Sequence, residues 1–457
     1  MGRRRGDRRQ LLPLLAAACL LGAGPAGPAV DAWAEGRPLP IAVRGGHARV
    51  VVPASGRTLV IISALARDPG PHRGWLRVRP GDGSTLPTTP PLPPPVARPE
   101  PPRPPPEPPL PAAMPPVARV FHVLARSGDV ARPSSYDPVP STLRAVGRRV
   151  QIYVDDEDLG RVAASTLRDL LSTFDDRVYP ASARDLGTAA DVDDDGRFTL
   201  LLTARLARLG GGKLAAEGCV RGADLDPEVA PPLGNRCDMM YLNALTPAGP
   251  HLRTVVAHEY AHAVMFTRKT LGDPPVEEEA WIDEGVAHLV EDRHGFSRSN
   301  IDPRVAAFLA ATGRYRLVVE DYHAADLYRS PGHRGSTYSF LRWCADRTGP
   351  GFVPALVGSR LRGVANVEAA AGERFEDLYR GWSAAVAASP GLQPAIVDPS
   401  GPALPWSLAG TSSAYVEISP SAMGWVIVEV EGSPAAELQV TALRLPPTTK
   451  VAPTAAR

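Results

Sequence analysis

Between Pro87 and Pro116 the chain carries 17 prolines in 30 positions, with Arg98, Glu100, Arg103 and Glu107 as the only charges among them. Proline offers no backbone N–H and holds φ near −65°, so such a run cannot join a hydrogen-bonded core. It should extend as polyproline II, about 3.1 Å per residue, and serve as a semi-rigid spacer. This divides the chain into a small β-rich unit at 35–82, a proline-rich linker at 83–118, and a larger body beyond it. In the first unit, Ala48 to Val52 and Thr58 to Ser63 read as strands between Gly and Pro punctuation.

The body is organised around His258, Glu259, Tyr260, Ala261 and His262. Leu252 to Thr270 contains no Gly or Pro, and Val255, Val256, Met265 and Phe266 supply apolar positions, so the stretch reads as a helix. Histidines four apart lie one turn from each other on one face, where both imidazoles can reach one zinc ion. Glu259, turned toward the neighbouring water, is the candidate general base. After a turn at Gly272 to Pro275 a second helix carries Trp281, Ile282, Asp283, Glu284 and Gly285. Glu284 stands 22 positions beyond His262, which suits a return helix that brings a carboxylate back as third ligand. Two nitrogens and one oxygen make the open ligand set of a catalytic zinc, which activates water and polarises a carbonyl.

Together these two motifs resemble the gluzincin metallopeptidases, in layout most similar to the hyicolysin-like secreted peptidases. The resemblance spans roughly residues 119 to 390, and its specific part is the two zinc motifs. Asp283 departs from the Asn usual in that context. The resemblance implies an α+β, zincin-like metallopeptidase domain over 119–395, with a mixed sheet, an active-site helix and a helical C-terminal half. Val120 to Leu124, Val150 to Val154, Phe198 to Thr203 and Met239 to Leu242 would supply the strands, and the last would be the edge along which substrate lies. Gluzincins stabilise the oxyanion with a Tyr or His, here Tyr338, with His333 as runner-up. Glu291 or Asp292 could bond the outer nitrogen of a ligand histidine. His288 reads as a neighbour of the site rather than a fourth ligand.

Other features bound the function. The net charge is +1, with 50 Lys and Arg against 49 Asp and Glu, so no bias toward nucleic acid or an acidic substrate follows; a peptide or protein substrate, and no nucleic acid, is what the peptidase resemblance implies. Arg3, Arg4, Arg5, Arg8 and Arg9 precede an apolar run from Leu11 to Ala23. That is the layout of a Sec or twin-arginine signal over residues 1–34, with lipidation at Cys19 a weaker option. Secretion or a periplasmic location follows, without stable membrane insertion after signal removal. In an exported protein Cys219 and Cys237 are a reasonable disulfide, and Cys344 a buried free thiol. Asp191, Asp193, Asp195 and Gly196 begin a calcium-loop pattern, but Leu202 stands where the twelfth-position Glu belongs. An acidic turn and a Ca²⁺ site completed by distant ligands both stay open.

From 396 to 445 the pattern turns to strands again, at Tyr415 to Ile418, Trp425 to Val430 and Leu438 to Leu443, giving a C-terminal β-rich unit and then a disordered tail at 446–457. The leading reading is a secreted zinc endopeptidase. A zinc aminopeptidase, with Asp238 near the edge strand binding the free amine, is one alternative. An exported binding or surface protein with a non-catalytic zinc site is the other.

Overall fold

A computed structural model of the chain describes residues 37–81, 96–100, 103–111, 113–124, 130–212, 215–420 and 424–446. The signal read at 1–34 and the tail from residue 447 lie outside the described residues. The architecture is mixed α+β. In chain order it begins with β1 (Leu39–Ile41), β2 (Val43–Arg44), β3 (His47–Pro53), β4 (Thr58–Ala64) and β5 (His72–Gly81). Beyond the proline segment come β6 (Ala118–Leu124), β7 (Tyr136–Val146), β8 (Val150–Asp155), α1 (Ala164–Thr173), α2 (Tyr179–Asp185), β9 (Phe198–Leu202), β10 (Gly218–Cys219), α3 (Gly222–Leu225) and β11 (Met239–Leu242). Seven helices follow: α4 (Pro250–Met265), α5 (Ala280–His294), α6 (Asp302–Ala310), α7 (Pro331–Thr348), α8 (Phe352–Gly358), α9 (Gly363–Ala371) and α10 (Phe375–Val386). The chain closes with β12 (Ala395–Val397), β13 (Leu404–Leu408), β14 (Ser412–Ile418), β15 (Trp425–Gly432) and β16 (Leu438–Arg444).

The two flanking β units read from the sequence are one body. One sheet has the order β1-β16-β4-β14-β12 and the other β13-β5-β15-β3-β2, so strands from both chain ends alternate. Val50, Val52, Ile62, Leu76, Val78, Trp406, Val428 and Val440 fill the space between them. Because β4 and β5 are internal strands of these two sheets, residues 37–81 are part of this fold. The outer face of β4 and β14 turns to the helices, where Leu59, Ile61 and Tyr415 join the main core. Tyr415 donates to the Ser383 carbonyl at 3.0 Å, and Leu317 N–H bonds the Thr411 carbonyl. The same segment then accepts the N–H groups of Ala280 and Trp281 on Glu320 and Val319. The β-body is thereby tied to the start of α5.

The middle sheet has the order β10-β11-β9-β8-β7-β6, with β8, β9 and β11 parallel. Here the expectation of an edge strand at Met239–Leu242 is corrected. β11 is internal and fully buried, and the two-residue β10 pairs antiparallel to it as the edge. Strand β7, which carries Pro138 and Pro140, was not legible as a strand. Its proline half, up to Thr142, pairs with β6, and its other half, from Ser141, pairs with β8. Each proline therefore has a ladder on one side alone, where a missing N–H is tolerated.

The disulfide expectation is also corrected: Cys219 and Cys237 are both free thiols. The register sets Cys219 opposite Tyr241, four residues past Cys237. At about 3.3 Å per residue that is roughly 13 Å, against the 4.4–6.8 Å that a disulfide needs between Cα atoms. Cys237 is buried and its thiol points to the Thr199 hydroxyl at 3.4 Å. Cys344 is a buried free thiol.

The described part of the proline segment does not stand away from the body. Arg149 donates to the carbonyls of Pro108 and Pro109, both at 2.6 Å, and pairs with Glu107 at 3.0 Å. Arg197 donates to the Ala113 carbonyl and Tyr153 to that of Pro116, each at 2.8 Å. Polyproline II leaves its carbonyls without internal partners, and these side chains supply them. The segment is a strap laid on the middle sheet.

Candidate metal centre

Helix α4 is buried on nearly every side, with Leu252, Val256, Ala257, Tyr260, Ala263 and Val264 all inaccessible or nearly so. A helix with no solvent face cannot rotate to hide a polar group, so His258, Glu259 and His262 are held where packing puts them. Helix α5 returns beside it. Gly285, next to Glu284, makes that possible: a Cβ there would lie 2.4 Å from Leu341 and 2.7 Å from Thr337 on α7. The three helices close together around Glu284.

His258 Nε2 and His262 Nε2 are 3.2 Å apart. Glu284 Oε2 is 3.4 Å from the first and 3.9 Å from the second. A tetrahedral ion with bonds of about 2.0–2.1 Å sets its ligand atoms about 3.3 Å apart, so the triangle fits one such ion. Glu284 Oε2 is buried and has no hydrogen-bond partner. A buried carboxylate oxygen left bare is costly unless something cationic meets it. The structure thus brings together all three ligands read from the sequence as a group able to hold a metal.

The protonation pattern follows from the surroundings. Burial pushes His258 down to about 4, so its ring is neutral and free to ligate. Burial acts the same way on His262, but the Asp283 carboxylate at 2.9 Å from its Nδ1 outweighs it and pushes the ring up to about 10. Burial pushes Glu259 up to about 7, against the pull of His262. The Arg334 guanidinium, 2.5 Å from Glu284 Oε1, and the two histidines hold Glu284 well below the carboxylate range despite its burial.

Gly218 of β10 lies directly over the general-base candidate. A Cβ there would meet Val255 at 2.6 Å and the Glu259 Cγ at 3.0 Å. The sheet edge therefore borders the site, one strand further out than the sequence suggested.

The chain matches no known family model and no curated protein. The reading of the site rests on its own geometry.

Around the triad the outcome is uneven. Glu291 Oε1 stands 3.9 Å from His258 Nδ1, outside hydrogen-bond reach, and instead bonds His288 and accepts from Asn300. His288 is fully buried behind His258, its ring centroid 4.8 Å away, as a neighbour of the triad. Asp292 is held by Arg298 and Arg342. The carboxylate that does reach His262 is Asp283, which sequence reasoning noted only as a departure from Asn. Such an outer carboxylate fixes the ring and its tautomer.

Tyr338 is not brought to the triad. The charged groups that act on its hydroxyl are Asp292 and Arg298, and Asp292 lies eight residues beyond Glu284 on α5, roughly 12 Å along the helix. His333 bonds Ser330 at 2.7 Å and packs on Tyr315. The charged side chain of α7 that does meet the triad is Arg334, at Glu284, in the first turns of a helix that begins at Pro331.

Asp191, Asp193 and Asp195 also converge, each offering one oxygen within 4.8 Å of the others. Asp191 accepts the N–H groups of Asp195 and Gly196, and Arg119 sits 2.7 Å from Asp193. Asp238 is separate: it is buried, accepts from Val192 N–H, and is pushed up by burial and by Asp193. Among the described residues no helix is long and apolar enough to cross a membrane.

Proposed function

We propose that this protein is an exported zinc metallopeptidase acting as an endopeptidase, with a zincin-like catalytic unit built from the middle sheet and helices α1 to α10. The observation that carries the reading is the bare, buried Glu284 Oε2 facing the Nε2 atoms of two histidines, with a general-base candidate next to them. A zinc ion held there lowers the pKa of its bound water and polarises the scissile carbonyl. The chain's own residues do the rest. Glu259 takes the proton of the attacking water and returns it to the departing amine, a role that its burial beside the two histidines suits. Asp283 keeps the His262 ring aimed with Nε2 inward. The edge beside β10 offers backbone groups to an extended peptide by β-addition, over the side of α4 that carries Glu259.

Calcium at Asp191, Asp193 and Asp195 is a separate candidate and not part of this reading: Arg119 and backbone N–H groups answer Asp191 and one oxygen of Asp193, while Asp193 Oδ1 is buried without a partner. The aminopeptidase alternative needs a carboxylate at the edge to bind a free amine, and Asp238 is buried on Val192 instead. Export rests on the N-terminal sequence pattern alone.

The test compares hydrolysis of an N-blocked peptide with that of the same peptide carrying a free amino terminus. Comparable cleavage of both is expected, at internal bonds. Cleavage of the free form alone, one residue at a time, would replace the endopeptidase reading with the aminopeptidase.

A further inference from the structure

Peptide hydrolysis at this site requires a donor for the carbonyl oxygen as it becomes negative, and neither Tyr338 nor His333 faces the triad. A guanidinium does. Arg334 sets Nη2 2.5 Å from Glu284 Oε1, while the other oxygen of that carboxylate faces the two histidines. The side chain is 17% exposed, so its charge acts through little water and is screened weakly. Tyr322 lies under it, with the ring centroid 5.7 Å from Cζ. Arg334 therefore borders a metal ligand of this reading, beside which the reacting carbonyl has to sit. Its Nε–H is buried and has no partner.

We propose that Arg334 is the oxyanion donor of this site, in place of the Tyr or His that the gluzincin resemblance implies. The inference rests on the reading of His258, His262 and Glu284 as a catalytic zinc site. In the first step the water oxygen bonds to the carbonyl carbon, its proton passes to Glu259, and the C=O π pair moves onto the carbonyl oxygen. In the second the pair returns, the C–N bond breaks, and Glu259 gives its proton to the amine. Arg334 loses no proton in either step. It contributes a charged N–H···O bond that strengthens as the oxygen gains charge, which is the differential binding that lowers a barrier. Its bond to Glu284 Oε1 holds the donor in place before substrate arrives.

The alternative is that Arg334 only braces Glu284, and the experiment separates the two. In the zinc-loaded full-length protein, Arg334→Met is expected to keep about one zinc per chain, to lose about 10²- to 10³-fold in kcat, and to leave KM within a few-fold. Binding of an N-phosphoryl dipeptide, whose tetrahedral anion imitates the intermediate, should weaken by a similar factor. Added guanidinium ion should restore part of the kcat of Arg334→Ala. If Arg334→Met cleaves and binds the probe like the parent, the inference fails while the peptidase reading stands. The inference also fails if the losses track zinc content and vanish when zinc is raised. A zinc-loaded parent that cleaves no peptide sinks the underlying reading, and the inference with it. Should Arg334→Met not fold, Arg334→Lys carries the test, because one ammonium cannot serve Glu284 and the oxyanion together: at least about a tenfold fall in kcat with zinc retained supports the role, and an unchanged kcat overturns it.

Discussion

Glu259→Gln is expected to lower peptide hydrolysis by about 10²- to 10⁴-fold while zinc content stays that of the parent. The substitution keeps the shape and burial of the side chain and removes its capacity to take a proton, and no ligand atom changes. The pH dependence follows in sign. Burial pushes Glu259 up to about 7, and a cation at the triad draws it back down, so the acid limb of kcat should lie below pH 7, where the base becomes protonated and activity is lost. The Gln variant should lack that limb. A second pH effect belongs to His262, which Asp283 pushes up to about 10 in the metal-free chain. That ring must release a proton to ligate, so metal affinity should rise with pH through the neutral range.

The largest effect on stability is expected away from the metal, in the loop that carries the chain from His262 to Glu284. Lys269 is 1% exposed, and its ammonium is 2.5 Å from Glu278 and 2.6 Å from the Leu361 carbonyl. Glu278 also accepts from Gly363 N–H and from the Asn366 amide, both at 2.7 Å. Burial lowers the Lys269 pKa while Glu278 raises it, and this carboxylate is what keeps the ammonium charged. Glu278→Gln leaves the charge buried without its partner, which should cost about 3–5 kcal/mol. A lowered urea midpoint with an unchanged m-value is the expected observation. An unaltered midpoint would mean that Lys269 is neutral in the folded protein. Since α5 starts at Ala280, loosening this loop should also weaken zinc binding through Glu284.

How much of this was legible in the sequence depends on the distance over which each feature is encoded. His258, Glu259 and His262 are read from helical spacing alone, and Glu284 from a short loop and return helix, so local pattern sufficed for a candidate metal group that the structure brings together. Tyr338 was assigned by resemblance, and resemblance does not say which way a side chain leaves its helix. Arg334 was out of reach because Gly332 and Gly335 obscure the first turns of α7. Asp283 and Glu284 are adjacent, yet one reaches His262 Nδ1 and the other the metal position, a difference fixed only when α4 and α5 pack together. The cysteine pair shows the reverse error: nearness in sequence suggested a bridge, and strand register denies it. The two β units could not be joined from sequence, since the pairing of β4 with β14 and β16 links residues more than 300 positions apart. The proline segment read as a spacer, and the arginines that tie its described part to the body lie on other elements.

The central claim is that His258, His262 and Glu284 hold a zinc ion on which peptide hydrolysis depends. The most direct test is metal analysis of the purified protein together with casein hydrolysis, before chelation, after chelation, and after zinc is restored. The account predicts about one zinc per chain, hydrolysis lost on its removal, and hydrolysis regained on its return. Casein hydrolysis that persists in the zinc-free protein would contradict it.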